Sequence, residues 1–451
     1  MILFWAATLA SAAVHAYPIE IITQVEATVT FDGKTPSGPR SISLPYLWDG
    51  IPHQPDGSVQ FKLRLGSLDP ARPGPRAIYF ARIGNRFEVR LNGTLISLPL
   101  NEQSPRVDLA KAPRLVVIPQ SLLHGYDQLE IVILTQGLRR GGLSPIHFGM
   151  ASDLMREFGK IYLSRITASL AVGCVSAVLG ILAMLMWMQQ RAPLFLLFGL
   201  AELAWAFRVS DVLIDEPPLG WPMWGVLVAL AYALYVGLTA RLSMLVLGIE
   251  RGWFRIALLL YLLGACVASV GTYALGYQIL WTAWLGLMVG AAMLCAMIAS
   301  WVAWRSRKVE HLLLAFALLT SVAVGVRDWV YVWLVPEAFG AASWSRYVSV
   351  LFSLTLGWII ASRYARATRD LGVLNRTLAD RVAERELQLV VSFDRTREAV
   401  QHAAALSERQ RLMRDMHDGL GSRLTGAISI LRNSEAPNPA VLEYLALPSR
   451  F

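Results

Sequence analysis

The sequence predicts a multidomain membrane protein with three parts: an exported all-β domain, a seven-helix transmembrane bundle and a cytoplasmic helical coiled coil. Three observations predict it. Seven apolar stretches of spanning length lie between residues 161 and 363. Short alternating runs, punctuated by Gly, Pro, Asn and Asp, fill the stretch ahead of them. Beyond 363 the chain turns charged, with apolar residues three, four or seven apart. The bulk composition agrees. Of 451 residues 55% are apolar and 16% charged, where a soluble protein carries about 25% charged residues. A purely soluble enzyme is therefore excluded. The net charge of +9 is spread along the chain, without the dense basic stripe of a nucleic-acid binder, so no nucleic-acid partner is expected. Three cysteines are too few for a disulfide framework. Each lies in an apolar run and is expected to be a small buried hydrophobe.

Residues 1–16, MILFWAATLASAAVHA, are apolar and end in small residues, with Val14-x-Ala16 fitting a signal-peptidase site. A cleaved signal peptide is expected, with an uncleaved anchor as the alternative; either exports the segment after residue 16. Residues 17–155 read as β structure. VEATVTFDG, SVQFKLRLG, AIYFARIG, RFEVRLNG, PRLVVIP and DQLEIVILTQ are strand-length runs. Asn92-Gly93 marks a hairpin, because both residues tolerate positive φ. Such spacing suggests a sandwich. Tyr46, Trp48, Asp49 and His53 cluster in LPYLWDGIPH. Trp48, Asp49 and His53 are the candidate ligand contacts there, with core packing as the competing reading for the aromatic residues.

The spans are expected at 161–188, 193–214, 221–248, 253–276, 277–304, 311–335 and 341–363, each near the roughly 20 residues that cross a bilayer. Pro193, Pro217, Pro218, Pro222 and Pro336 punctuate their ends. QQRAP, ERGWFR, RSRKVEH and RYARATR would face inside, whereas DEPPLG, ALGYQ and PEAFG, without Lys or Arg, would face outside. This positive-inside pattern puts the β domain in the periplasm and the C-terminus in the cytoplasm of a bacterial inner membrane. Arg156, Lys160 and Arg165 run against it.

Ionisable residues within spans are costly and point to function. Arg208 and Asp211 in the second span, Arg327 and Asp328 in the sixth and Arg346 in the seventh fall at comparable depth; Glu202 lies deeper. One polar cluster between these spans is expected, either fixing helix packing or forming a ligand or relay pocket. Trp221, Trp224, Trp253, Trp301 and Trp344 lie near span ends and read as interfacial anchors.

Residues 364–407 carry a heptad-like seam of Leu371, Leu374, Leu378, Val382, Leu389, Phe393, Val400 and Ala404. A parallel homodimer through 371–424 is expected, with a lone amphipathic helix on the membrane surface as the alternative. Next comes 408–424, ERQRLMRDMHDGLGSRL, with Met413, Met416, Leu420 and Leu424 on one helical face and His417 and Asp418 beside it. An imidazole next to a carboxylate suits nucleophilic work, since the acid can hold one ring nitrogen and leave the other free.

The run Arg414-Asp415-Met416-His417-Asp418-Gly419-Leu420-Gly421 resembles the phosphoacceptor box of sensor histidine kinases whose box reads R-x-x-H-D-G-L-G. The resemblance covers about 25 residues. It implies a membrane sensor of a two-component system, in which His417 accepts the γ-phosphoryl group of ATP and Asp418 acts as base and orienter. A response regulator is the implied partner. Relatives often carry Gln or His four residues after the acid, where this chain has Ser422; phosphatase activity is not implied. The layout resembles the bacterial seven-helix receptors with diverse intracellular signalling modules. The β domain resembles galactose-binding-like jelly rolls, through IYFARIGNRFEVRLNGTLI and VVIPQSLLHGYDQLEIVIL. That implies a periplasmic small ligand, such as a carbohydrate.

In relatives the box leads into a second helix and an ATP-binding domain. Here Ala440–Leu447 offers about two helical turns, and there is no Walker-type segment. Region 408–451 is therefore expected to be a truncated phosphoacceptor region. The chain itself is expected to hold no cofactor, with ATP and magnesium supplied through a missing or partner catalytic domain in trans. The alternative is a non-enzymatic receptor that acts through a partner kinase.

Overall fold

A computed structural model of the chain describes residues 19–31, 37–48, 57–66, 74–136, 139, 141–249, 252–335, 339–340 and 343–433. The expected signal peptide, Asp49, His53 and the 440–447 segment lie outside the described residues. The chain divides into two units at Ser362/Arg363.

The first unit opens with a β-rich region. Its strands in chain order are β1 (Glu20–Ile22), β2 (Gln24–Phe31), β3 (Arg40–Ser43), β4 (Tyr46–Leu47), β5 (Gly57–Arg64), β6 (Arg76–Phe80), β7 (Arg86–Leu91), β8 (Thr94–Leu95), β9 (Arg114–Ile118), β10 (Gln128–Thr135), β11 (Gly142–Leu143) and β12 (Ile146–Met150). A four-stranded sheet has the order β1-β12-β6-β9 and a six-stranded sheet β3-β2-β5-β10-β7-β8; β11 pairs with β4. All pairings are antiparallel, as Ile131↔Phe61 in β10/β5 and Phe148↔Ile78 in β12/β6. Asn92 and Gly93 take positive φ, 50° and 83°, in the turn between β7 and β8.

The two sheets share one apolar core. Phe61, Leu129 and Ile131 enter it from the larger sheet, and Ile78, Phe80 and Ile118 from the smaller. β10 alternates between buried and half-exposed because only one face is covered. β6 reads as an unbroken apolar run because both its faces are covered. Ile78 and Phe80 enter the core, while Ala77 and Tyr79 meet Leu154 of the first helix.

The helices are α1 (Ala151–Tyr162), α2 (Ala168–Gln190), α3 (Pro193–Ser210), α4 (Met223–Val246), α5 (Trp253–Tyr273), α6 (Gln278–Ser306), α7 (Val309–Leu334) and α8 (Ser345–Arg432). α1 runs into α2 through a π turn at Leu163–Thr167. Among the described residues seven helices are long and apolar enough to cross a membrane, as in a multi-pass membrane protein. The first begins at Ala151, ahead of the expected 161, because its amphipathic start packs on β6 rather than in the bundle. α2 and α3 cross at Gly180 and Gly199, where a Cβ on either would lie 3.1–3.2 Å from the other's carbonyl oxygen. Glycine is what lets these backbones approach.

Two expectations about the spans are corrected. Cys174 and Cys266 are exposed on the bundle surface and Cys295 is half-buried; none is fully buried. An apolar run cannot tell a core face from an outer face, since lipid and core are equally apolar. Trp224 is no interfacial anchor: it is buried, and its Nε1 donates to Asp211 Oδ1 at 2.6 Å.

Candidate functional site

Three arrangements within the first unit bear on function, and α8 enters all of them. The first is a joint between the β region and the helices. The segment after α3 is acidic, and a basic stretch of the β region lies against it. Lys111 Nζ donates to Asp211 Oδ1 and to the Ile214 carbonyl, both at 2.8 Å. Arg114 pairs with Asp215 at 3.2 Å, and the Asp108 N–H donates to the Asp215 carbonyl at 2.7 Å. Arg106 donates to the Pro218 carbonyl at 3.3 Å. Arg139 pairs with Asp108 and lies over the Trp221 ring. Lys111 is nearly buried, so its charge depends on these partners.

The joint continues through the π turn. A π turn leaves carbonyls without their usual donor four residues on. Here α8 supplies donors: Tyr347 Oη to the Ser164 carbonyl, and Arg346 to the Arg165 carbonyl at 3.0 Å and to Ser169 Oγ. The Arg165 side chain is itself buried and reaches the other way. It donates to the carbonyls of Ala81, at 3.0 Å, and Ala110, at 3.3 Å, in the β region. A continuous set of hydrogen bonds thus runs from the β6–β7 connection through Arg165 to the first turn of α8.

The second arrangement is a cavity of about 640 Å3 between helices α3 to α8. It brings together Arg208, Asp328 and Arg346, with Tyr232 and Tyr261 among its aromatic walls. Asp328 caps the start of α8: its carboxylate accepts from Ser343 Oγ at 2.6 Å and from the N–H groups of Ser345 at 2.9 Å and Trp344 at 3.2 Å. A carboxylate there also suits the positive end of the helix dipole. Arg327 pairs with Asp328 at 2.7 Å and lies over the rings of Tyr331 and Trp344.

The expected single polar cluster is therefore divided. Asp211 belongs to the joint, because Lys111 and Trp224 hold it. The third arrangement is at Glu202, which lies apart, 1% exposed, facing Ser176 of α2 and Ser353 of α8. Both hydroxyls lie close to the carboxyl, yet no hydrogen bond of good geometry forms at Glu202 Oε2, Ser176 Oγ or Ser353 Oγ among the described residues.

Trp48 packs in the β core, as the competing reading for the aromatic residues expects. It is 1% exposed, in the β core, where Cβ atoms built on Gly84 and Gly141 would strike its ring. A different residue is held more tightly. Asp127 accepts from Asn92 Nδ2 at 2.7 Å, the His124 N–H at 2.9 Å and the Gly125 N–H at 3.1 Å. Burial pushes its pKa up, but these donors outweigh burial and hold the carboxyl below the usual range.

In the second unit α8 carries His417 and Asp418, both exposed. Every side chain from 366 to 420 is exposed, including Leu371, Leu378, Val382 and Leu389. Among the described residues no hydrogen bond joins His417 to Asp418; adjacent helical side chains diverge by about 100°. His417 is open to an incoming phosphoryl donor, and an orienting contact from Asp418 would need a different rotamer.

Sequence reasoning missed the joint. Its signal was complementary charge: basic Arg106, Lys111 and Arg114 against acidic Asp211, Asp215 and Glu216.

No protein-family model matches the chain, and no curated protein matches it. Among solved structures it is similar to β-glucuronidase of Ruminococcus gnavus, at 14% identity and a TM-score of 0.23, over 30% of this chain and 29% of that one. That enzyme in complex with uronic isofagomine gives 16% identity and a TM-score of 0.22 over 29% of each chain. In complex with D-glucuronic acid it gives 14%, 0.24 and 30% of each. The likeness spans under a third of those enzymes, and it carries no conclusion about this chain's fold or activity.

Proposed function

We propose that the chain is the receptor and phosphoacceptor part of a bacterial inner-membrane sensor histidine kinase in a two-component system. The observation that carries the reading is α8 itself. One helix, Ser345–Arg432, includes both the seventh apolar span and the Arg414–Gly421 box with His417 exposed. The jelly-roll-like β domain faces the periplasm and the Arg-rich connections face the cytoplasm. A ligand on the periplasmic side changes the packing of the first turn of α8 through Arg165, Arg346 and Tyr347. It does so only in proportion to its different affinity for the two packings.

In the phosphoryl transfer, a ring nitrogen of His417 attacks the γ-phosphorus of ATP. An N–P bond forms, the bond to the bridging oxygen breaks, and ADP leaves. Asp418 takes the imidazole proton. The nucleotide and magnesium belong to an ATP-binding domain supplied in trans or by a longer chain, which does the positioning and charge neutralisation. The phosphoryl group then passes to an aspartate of a response regulator. Two copies pair through 371–424, which covers the exposed seam.

The test supplies γ-labelled ATP, magnesium and the ATP-binding domain of a related kinase to the full chain in lipid nanodiscs. Acid-labile, base-stable label is expected on the chain and is lost in His417→Gln. Label that persists in that variant, or wild-type chain that takes none, overturns the assignment.

A further inference from the structure

The bundle cavity holds more positive charge than its own residues neutralise. Arg208, Arg241 and Arg346 line it, against Asp328 as the only lining carboxylate among the described residues. Asp328 is already occupied by Ser343, Arg327 and the first N–H groups at α8. Arg346 spends one nitrogen on the π turn. Arg208 has no hydrogen-bonded acceptor among the described residues and faces the Tyr232 ring at 6.0 Å. Asp211, three residues along, lies within electrostatic reach of Arg208 but is hydrogen-bonded to Lys111 and Trp224 instead. A guanidinium whose nearby carboxylate is shared in this way is only partly offset at this depth, which is costly, and a ligand with a negative group relieves that cost.

The rest of the cavity selects the other half of the ligand. It tracks α4 from Val228 to Met244, about 24 Å at 1.5 Å per residue. Between the arginines its walls are apolar and aromatic, with Leu258, Leu285, Val289 and Val322 among them. Leu294 and Trp253 also line it, and both are more than half exposed on the bundle surface. The cavity therefore reaches the face where lipid would lie. Its volume, about 640 Å3, falls in the range of small-molecule sites, roughly 300–1,000 Å3.

We infer that this cavity binds a single-chain anionic amphiphile, with its carboxylate or phosphate head at Arg208 and Arg346 and its hydrocarbon tail along α4. The head then lies beside the first turn of α8, next to the hydrogen bonds that tie Arg346 to the π turn. Binding does not depend on phosphoryl chemistry at His417, so the two readings fail separately.

The experiment uses the full chain in phosphatidylcholine nanodiscs, without nucleotide, and radiolabelled palmitate as probe. Saturable binding is expected, displaced by unlabelled palmitate or hexadecyl phosphate. Hexadecanol, which keeps the tail and loses the charge, is expected to displace it roughly tenfold less well or worse, a difference of about 1.4 kcal/mol or more. Acetate and inorganic phosphate, heads without tails, are expected not to displace it. Arg208→Gln is expected to remove the preference for palmitate over hexadecanol and leave hexadecanol binding unchanged. Should that variant fail to fold, Val322→Trp, which fills the tail channel without touching the arginines, is expected to abolish binding of both. Equal affinity for palmitate and hexadecanol in the wild type, displacement by inorganic phosphate, or an Arg208→Gln or Val322→Trp variant that binds as the wild type does would each overturn the inference.

Discussion

The joint at α1 and the stalk of α8 handle exposed chemistry in opposite ways. At the joint, buried charges meet partners from the same chain: Lys111 meets Asp211, and Arg165 meets the Ala81 and Ala110 carbonyls. Along the stalk, Leu371, Leu378, Val382 and Leu389 are about half exposed or more, with nothing over them among the described residues. A joint that is satisfied internally forms whenever the chain folds. A seam left uncovered favours association, because covering apolar area removes it from water. The first unit holds its arrangement by its own contacts, whereas the stalk's seam is what the proposed second copy would cover.

The largest effect is expected where that difference is greatest. Leu389→Lys puts an ammonium into the seam, and burying it costs on the order of 3 kcal/mol, or ~100-fold in dimer affinity. Sedimentation equilibrium of the full chain in detergent reads it as a shift from dimer to monomer. A wild-type chain that is already monomeric would break the comparison, since the seam would then need no partner.

Lys111→Met tests the other side. It leaves Asp211 hydrogen-bonded to Trp224 alone, with Arg208 as its remaining nearby charge, and breaking such a pair costs roughly 3 kcal/mol. The melting temperature of the full chain is expected to fall, while Lys111→Met/Asp211→Leu recovers much of the loss because no charge is stranded. Equal losses in the single and double variants would mean that the pair carries no coupling and that the joint is held by its other contacts.

These two regions also differ in how legible they were. The stalk was readable because apolar spacing and length are local properties. So were the strands seen as β2, β5, β6, β7, β9 and β10, and the spans, whose composition alone sets them apart. The joint was not, because it depends on contacts between residues such as Lys111 and Asp211, a hundred positions apart. Arg165 shows the limit well. In the sequence it is a positive charge on the wrong side of the membrane; in the structure it is buried and donates to two β-region carbonyls. The intramembrane charges were recognised as special, but their depth along each helix did not say which would meet. Arg208, Asp328 and Arg346 share a cavity, whereas Asp211 and Glu202 are drawn elsewhere by neighbours on other elements.

Within the β region, Asp127 offers a smaller and pH-dependent test of internal satisfaction. Its carboxyl is held below the usual range, so the stabilisation it brings is fully present above the ordinary carboxylate pKa of about 3.9 and is lost as pH falls through the folded value. Asp127→Asn is expected to cost about 2 kcal/mol at pH 7, the worth of hydrogen bonds to a charged acceptor. The difference between variant and wild type should shrink as the pH is taken below 4, in thermal melts across that range. A difference that stays constant would mean that Asp127 acts through shape rather than charge.

Glu202 is the exception inside the satisfied unit, and it sharpens the comparison most finely. Its carboxyl, Ser176 and Ser353 come from three helices and face one another, with no hydrogen bond of good geometry at Oε2 or at either Oγ among the described residues. A buried polar group in that state costs about 1–3 kcal/mol relative to a satisfied one. An apolar side chain of similar length avoids that cost. Glu202→Met is therefore expected to raise the melting temperature, by the equivalent of about 1 kcal/mol after allowing for imperfect packing. A fall instead would mean that a water molecule or an ion bridges the three groups in the membrane. In that case α2, α3 and α8 would be tied by a polar contact at mid-bundle, and the joint at Arg165 would have a counterpart deeper along the same output helix.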